Sequence, residues 1–445
     1  MFRPEMDVME RMVSSPAPLS LPDSAPAANV YTGDMVHARR WLLTRDFSFL
    51  WWSQVLSQVA EGISKLALLW FVYAVTGSPL KTTVIGLLQT LPPILFGPFI
   101  GVIVDRFPKK AILIGSDVAR GVLIGLIPCL VSIENFTVEA LYVLTFLFGV
   151  ATAVFVPALS SAVPFMVARP QFTAANALLQ STTSLGIIIG PAVSGLGIAF
   201  SGSQDVLCLN ALTYFASAAC LLPITLRAAE QASDSSSGWR PFIRHLLEGL
   251  RYAFLTHRTL LILILLASLY TFGSGAFTTL FPVFGRQLLG LGPVEVGYLW
   301  SWLGVGLLLS SMALIRLSGW ELRQRLFAIA ASCTLAGLAV LGLTGTGSFG
   351  MASAYVVCIG IGLGTWTPIA WGIIQEVAPP GMVGRVMAVY TAMATATSML
   401  GMSAFGWVAE SFGSVASVIG IGAVMGLLAW GSAWFGGWMA RTTSR

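Results

Sequence analysis

The sequence predicts an all-α integral membrane protein with twelve transmembrane helices in two pseudo-symmetric six-helix halves. Three observations lead to this fold class. Hydrophobic residues make up 56% of the 445-residue chain and charged residues only 10%, whereas a soluble domain carries about 25% charged residues. Twelve apolar segments follow one another, and a polar stretch separates the sixth from the seventh. A bilayer accommodates them because each spanning helix needs roughly 20 apolar residues and satisfies its own backbone hydrogen bonds.

The order of the apolar segments predicts the domain organisation. Residues 1–40, rich in Pro, Ala and Ser, are expected to be a disordered cytoplasmic tail without a cleaved signal peptide. The first half covers residues 41–225, with apolar segments at about 47–75, 82–104, 111–133, 138–165, 172–200 and 205–225. A central cytoplasmic loop spans residues 226–258. The second half covers residues 259–438, with segments at about 259–284, 293–316, 324–346, 349–375, 383–409 and 413–438, and residues 439–445 are expected to be a cytoplasmic tail.

Basic residues near the helix ends predict the orientation, because cytoplasmic loops of membrane proteins are enriched in Lys and Arg. If the N-terminus is cytoplasmic, only Lys81 and Arg286 face outside. Lys65 and Arg120 fall within helices, and the other 20 of the 24 basic residues face the cytoplasm. The sequence therefore predicts a multi-pass protein of the plasma (inner) membrane with both termini in the cytoplasm. This distribution of the net charge of +5 argues against nucleic-acid binding.

A polar stripe lies on the first segment. Gln54, Gln58, Glu61 and Lys65 are spaced i, i+4, i+7 and i+11, which places them on one face of a helix. Such a face must meet a water-filled cavity or a partner helix, and an ionisable residue at membrane depth is a candidate functional residue. We interpret Glu61 as a proton-titratable group that also attracts substrate. The alternative is that Glu61 and Lys65 neutralise one another as an i, i+4 pair.

A charged loop between segments two and three, residues 101–110, suggests a gate. Asp117 and Arg120 follow it one helical turn apart, and we expect them to form one charge cluster with the loop residues Asp105, Arg106 and Lys109. The functional interpretation is a latch that stabilises one access state, and the alternative is a snorkelling pair. Asp105 is also expected to face the positive N-terminal end of segment eleven, near Arg385.

Segment five contains small residues at four-residue spacing and an internal proline, Gly186, Gly190, Pro191 and Gly195. Small residues let helix backbones approach closely, and the proline loosens the helix. Packing alone would explain this pattern. The five cysteines lie in apolar runs without a short C-x-x-C spacing, so neither a disulfide framework nor a metal site is predicted.

Several of these motifs together resemble the major facilitator superfamily. The pattern Gly101-x-x-x-Asp105-Arg106-x-x-Lys109 resembles its motif A, and Gly186 to Gly195 resembles motif C of its antiporter branch. Further similarity to the drug–proton antiporter branch, which includes macrolide-efflux and enterobactin-exporter-like proteins, comes from the motifs Thr76-Gly-Ser-Pro79, Asp117-Val-Ala-Arg120 and Gly384-Arg385-Val. The resemblance covers about residues 41–438. Pro108 departs from the usual Gly of motif A, and Glu61 stands where this branch often has Asp.

The resemblance implies a secondary active transporter with the major facilitator fold. It implies a proton-coupled exporter of small amphiphilic, drug-like or macrolide-like molecules, working as a monomer in membrane lipid by alternating access. No cofactor is expected, since the proton gradient supplies the energy and no Walker-type sequence occurs. A siderophore or lysophospholipid transporter of the same fold remains an alternative. A non-transporting receptor or a membrane enzyme is a distant one, and no H-E-x-x-H sequence supports an enzyme.

Overall fold

A computed structural model describes residues 44–131, 137–167, 171–225, 258–316, 320–379 and 382–443. It also describes residues 244, 247, 248, 250–252 and 254 of the central segment. The predicted tail at residues 1–40 and most of the predicted central loop, residues 226–258, lie outside the described residues. Positions 132–136, 168–170, 317–319 and 380–381 lie outside them as well.

The first six helices extend from Arg45 to Leu221. They are α1 Arg45–Thr76, α2 Pro79–Arg106, α3 Lys109–Val131 and α4 Val138–Ala162, followed by a single helical stretch, Phe172–Leu221. Gly202 breaks this stretch, since its φ of 88° and ψ of 164° are not helical. We therefore treat residues 172–201 as α5 and residues 203–221 as α6. Only glycine adopts such a backbone conformation at little cost.

The other six helices extend from Arg258 to Thr443. They are α7 Arg258–Leu289, α8 Pro293–Arg316, α9 Leu322–Gly342, α10 Phe349–Val377, α11 Val383–Phe412 and α12 Ser414–Thr443. The apolar span of α12 ends at Trp438, at the predicted boundary, and the helix itself continues through most of the expected tail to Thr443. The apolar run stops there, but residues 438–443 contain neither Gly nor Pro, and a helix satisfies its own backbone hydrogen bonds on either side of a membrane surface.

The predicted all-α membrane fold is confirmed. Among the described residues, ten helical stretches are long and apolar enough to cross a membrane, and one of them, Ala174–Leu221, contains the break between α5 and α6. The long helix α2 completes the set, so the twelve helices follow the order of the twelve predicted segments. No strand occurs among the residues that the structure describes.

Helix packing divides the described chain into two bundles. Helices α1 to α6 pack mainly against one another, and α7 to α12 do the same. Two antiparallel pairs, α5 with α8 and α2 with α11, carry most of the contact between the bundles. These four helices, together with α1 and α7, which also meet, form the junction between the two bundles.

The turn between α1 and α2 is well capped. Gly77 ends α1 in the left-handed region, with a φ of 65°, and its amide donates a hydrogen bond of 2.8 Å to the carbonyl of Tyr73. Ser78 caps α2, accepting a hydrogen bond of 3.1 Å from the amide of Lys81, and Pro79 occupies the first turn. The sequence Thr76-Gly-Ser-Pro79 thus combines the preferred glycine stop with the preferred serine and proline start.

Candidate functional site

The α5–α8 pair touches backbone to backbone at one membrane face. A Cβ atom on Gly195 would lie 2.4 Å from the carbonyl oxygen of Pro293, and one on Gly297 would lie 2.5 Å from that of Pro191. Ser301 donates a hydrogen bond of 2.5 Å to the carbonyl of Ile188. The two helices can approach this closely because glycines occupy the contact points.

The α2–α11 pair closes the same face. A Cβ atom on Gly406 would lie 2.5 Å from the hydroxyl oxygen of Thr83, and one on Gly86 would meet Thr279 of α7 at 2.6 Å. Beyond these contacts, the Glu410 carboxylate at the end of α11 accepts a hydrogen bond of 2.7 Å from Ser78. We call the face that carries the turn at residues 76–79 the closed face.

The two bundles separate toward the opposite face, which carries the turn at residues 107–108. Gly97 and Gly101 continue the contact face of α2, yet a Cβ atom on either would meet nothing within 4 Å. On α8, Leu308, Met312 and Ile315 continue the face of Gly304, and their exposed fractions rise to 41%, 58% and 75%. We call this the open face. A cleft between the bundles therefore opens there and ends beneath the closed face.

The predicted polar stripe on α1 has a gradient of exposure. Gln54 is only 3% exposed, Gln58 and Glu61 are partly buried, and Lys65 is exposed. Three of the four side chains are therefore accessible, whereas Gln54 is enclosed by the first bundle.

Glu61 and Lys65 do not form an ion pair. The Lys65 ammonium instead lies 5.7 Å from the ring centroid of Trp300 on α8, a cation–π contact between the two bundles. Within the described part of the chain, Glu61 has neither a hydrogen bond nor an ion pair. The alternative in which these two residues neutralise each other through a direct contact is thus not the observed arrangement.

The glycines of segment five face two different helices. A Cβ atom on Gly186 would lie 2.5 Å from the carbonyl oxygen of Gln58, and one on Gly190 would lie 2.7 Å from the Cα atom of Gly62. These two glycines hold α5 against α1 beside the polar stripe. Gly195 and the carbonyl of Pro191 instead face α8. The segment therefore connects the helix that carries Glu61 to the opposite bundle.

Asp117 and Arg120 lie inside the first bundle, at 0% and 1% exposure. Arg120 pairs directly with Asp117 and donates a hydrogen bond of 2.9 Å to Ser57 of α1. Ser217 of α6 donates a hydrogen bond of 2.6 Å to the same carboxylate. The Arg120 guanidinium also lies 4.8 Å from the ring centroid of Tyr214.

The prediction that Asp117 and Arg120 join one charge cluster with the loop residues is therefore wrong. Asp117 is eight residues beyond Lys109, about 12 Å along the helix axis, and it faces the bundle interior. Arg106 is exposed, and Lys109 bonds to the carbonyl of Val104 at the end of α2. The side chain of Asp105 lies outside the described residues.

Arg385, which the sequence places next to the loop, pairs with a different carboxylate. Its guanidinium lies 2.8 Å from Glu248, in the described part of the central segment. Sequence reasoning missed this partner because nothing in the spacing of the two residues links the start of α11 to the central segment. At the open face, the start of α11 is thus joined to the central segment by the ion pair between Arg385 and Glu248.

Comparison with known proteins identifies the class. The model of the family described as Major Facilitator Superfamily matches residues 50–402. Macrolide efflux protein A of Streptococcus pyogenes is 26% identical over 348 residues, covering 76% of this chain and 83% of that protein. Multidrug efflux pump Tap of Mycolicibacterium fortuitum is 27% identical over 377 residues, covering 83% and 90%.

Solved structures share the fold at low sequence identity. A bacterial homologue of the lysosomal transporter Spinster, in an inward-facing and unoccupied conformation, superimposes with a TM-score of 0.69 at 13% identity, covering 88% of this chain and 96% of that one. An inward-facing bacterial homologue of the iron transporter ferroportin gives a TM-score of 0.65 at 16% identity, covering 87% and 99%.

The fold, with its cleft between two six-helix bundles, and these relatives define a multi-pass membrane transporter, not an enzyme. The chain belongs to the Major Facilitator Superfamily, as motif A and the helix pattern predict. Its relatives include proteins named for macrolide and multidrug efflux.

Proposed function

We propose that this transporter is a proton-coupled exporter that moves amphiphilic small molecules by alternating access. The observation that carries the proposal is the state of Glu61. A carboxylate in the middle of a spanning helix is costly unless it serves a function. Glu61 is accessible at the cleft, and no described residue forms an ion pair with it.

A carboxylate of this kind can gain and lose a proton during the cycle. A direct ion pair with Lys65 would hold Glu61 in its charged form, but the Lys65 ammonium lies against the Trp300 ring. Since Trp300 belongs to the other bundle, separation of the bundles at the closed face would release Lys65 toward Glu61. Protonation of Glu61 is then linked to the arrangement of the two bundles.

The proposed orientation places the open face in the cytoplasm. The turn at residues 107–108 carries Arg106, Lys109 and Lys110, and basic residues favour the cytoplasmic side. The transporter is then a plasma membrane protein with both termini inside, and this conformation is open to cytoplasmic substrate. It acts as a monomer without a cofactor, driven by the proton gradient.

The second bundle offers aromatic and weakly polar surfaces to a substrate. Tyr270 of α7 stacks on Trp366 of α10, with ring centroids 5.3 Å apart, and Trp366 donates a hydrogen bond of 3.0 Å to Tyr390. Trp366 and Tyr390 are buried, whereas Tyr270, which packs on the Trp366 ring, is partly exposed. Between Glu295, in the first turn of α8, and Glu376 of α10, the described residues contain one acid, Glu321, and it is exposed. Such surfaces suit amphiphilic organic molecules.

The test uses inside-out vesicles with an acidic interior and a lipophilic cationic dye. We expect wild-type protein to accumulate the dye and Glu61→Gln to reduce accumulation to the level of vesicles without the protein. Glu295→Gln is the matched control, because Glu295 lies in the first turn of α8, away from the middle of the membrane. Glu61→Asp keeps a titratable carboxyl group and should retain part of the uptake.

Each outcome separates the alternatives. Equal uptake by wild type and Glu61→Gln, at equal protein levels, would contradict coupling through Glu61. Absence of dye uptake in every variant would contradict the broad drug-like substrate class and favour a siderophore or lysophospholipid. Repeating the assay with those compounds as probes would then decide between them.

A further inference from the structure

Glu410 forms a contact between the bundles that the transport mechanism above does not use. It lies at the end of α11, and its Oε2 atom accepts a hydrogen bond of 2.7 Å from the Ser78 hydroxyl. The same oxygen accepts a hydrogen bond of 3.3 Å from the backbone amide of Leu80. Both donors lie at the N-terminal end of α2, in the other bundle, where Ser78 is the cap and Leu80 is in the first turn.

The start of α2 is a suitable site for a carboxylate. The first amide groups of a helix have no acceptor within the helix, and the helix dipole makes this end positive. Ser78 already satisfies the amide of Lys81, and Glu410 satisfies that of Leu80. The cap of α2 is thus shared between a residue of its own bundle and a residue of the opposite bundle. The Glu410 part of the cap is lost when the two bundles separate at this face.

We propose that Glu410 is the positioning residue that latches the closed face, by capping the N-terminus of α2 from the end of α11. The close contact of Gly406 with Thr83 lies one helical turn deeper and brings the two helices within reach of this bond. Ser78 of Thr76-Gly-Ser-Pro79 then makes two hydrogen bonds: it caps α2 by accepting from the amide of Lys81, and it donates to Glu410.

The antiparallel arrangement of α2 and α11 places the two ends of this pair at opposite faces. Each helix begins where the other ends, and at the open face α2 ends at Arg106 and α11 begins at Val383. In this conformation the Glu410 cap is formed, while the bundles stand apart at Gly97 and Gly101.

Distances between spin labels test the proposal without depending on the substrate or on coupling. Labels are attached to cysteines at Gln204 and Thr344, exposed positions on the closed face of the two bundles, after the five native cysteines are replaced. Double electron–electron resonance then measures the populations of short and long distances. We expect Glu410→Ala to raise the ratio of the long to the short population by about fivefold to tenfold, the effect of losing one cap.

Two further variants keep the test decisive. Ser78→Ala removes the hydroxyl donor while keeping Glu410, and it should shift the populations in the same direction, even if Glu410→Ala fails to fold. Glu295→Gln changes an acidic residue on the same face and should leave the distances unchanged. Unchanged distances in both Glu410→Ala and Ser78→Ala would overturn the proposal, as would an equal shift caused by Glu295→Gln.

Discussion

Replacing Asp117 with alanine should lower the free energy of unfolding by about 3–5 kcal/mol, because it leaves a buried arginine without its counterion. Arg120 is 1% exposed, and its described polar partners are Asp117 and Ser57. Chemical denaturation in detergent micelles, followed by tryptophan fluorescence, measures the change. The loss should also reduce the amount of protein that reaches the membrane.

Two controls isolate burial as the cause. The double substitution Asp117→Leu with Arg120→Met removes both charges, and we expect it to recover most of the stability, since apolar residues often replace a buried pair without loss. Glu376→Ala breaks the 2.5 Å ion pair between Glu376 and Arg325, two side chains that are both partly exposed. This substitution should lower the free energy of unfolding by less than about 1 kcal/mol. A cost for Asp117→Ala no larger than that for Glu376→Ala would contradict the argument.

The membrane-spanning helices could be predicted from sequence because each helix that crosses the bilayer needs its own run of apolar residues. The break between segments five and six was also visible, since Gly202 stands among the polar residues that separate two apolar runs. The apolar pattern also ends at Trp438, but it does not predict that α12 continues to Thr443, because a helix does not have to stop where the membrane does. Hydrophobicity predicts what the bilayer covers, whereas helix ends depend on caps and on neighbouring elements.

Candidate site residues could be proposed from sequence, but their partners could not. The i, i+4, i+7, i+11 spacing predicts one face of α1, yet Gln54 is enclosed by the first bundle and Lys65 contacts Trp300, a residue far along the chain. Asp117 and Arg120 form an ion pair, as expected for neighbours one helical turn apart. Their wrong assignment to the loop came from nearness in sequence, and the side chains point instead to Ser57 and Ser217. Contacts between helices require tertiary structure.

The close contact of α5 with α8 gives the second large prediction. Gly297→Val adds a branched side chain where even a Cβ atom would lie 2.5 Å from the carbonyl of Pro191. A backbone carbonyl cannot rotate away as a side chain does, so the helices must move apart. Overpacking of this kind costs about 1–3 kcal/mol, which shifts the equilibrium away from the closed arrangement by about 5- to 150-fold.

We therefore expect Gly297→Val to insert in the membrane but to lose most transport, because the closed face no longer forms. The labels at positions 204 and 344 should report a larger long-distance population than in wild type. Gly372→Val is the matched control, since a Cβ atom at Gly372 of α10 meets nothing within 4 Å. Wild-type transport and distances in Gly297→Val would show that the contact is not needed for closure. Because α5 also packs on α1 through Gly186 and Gly190, we expect a displacement of α5 away from Gly297 of α8 to move the helix that carries Glu61 as well.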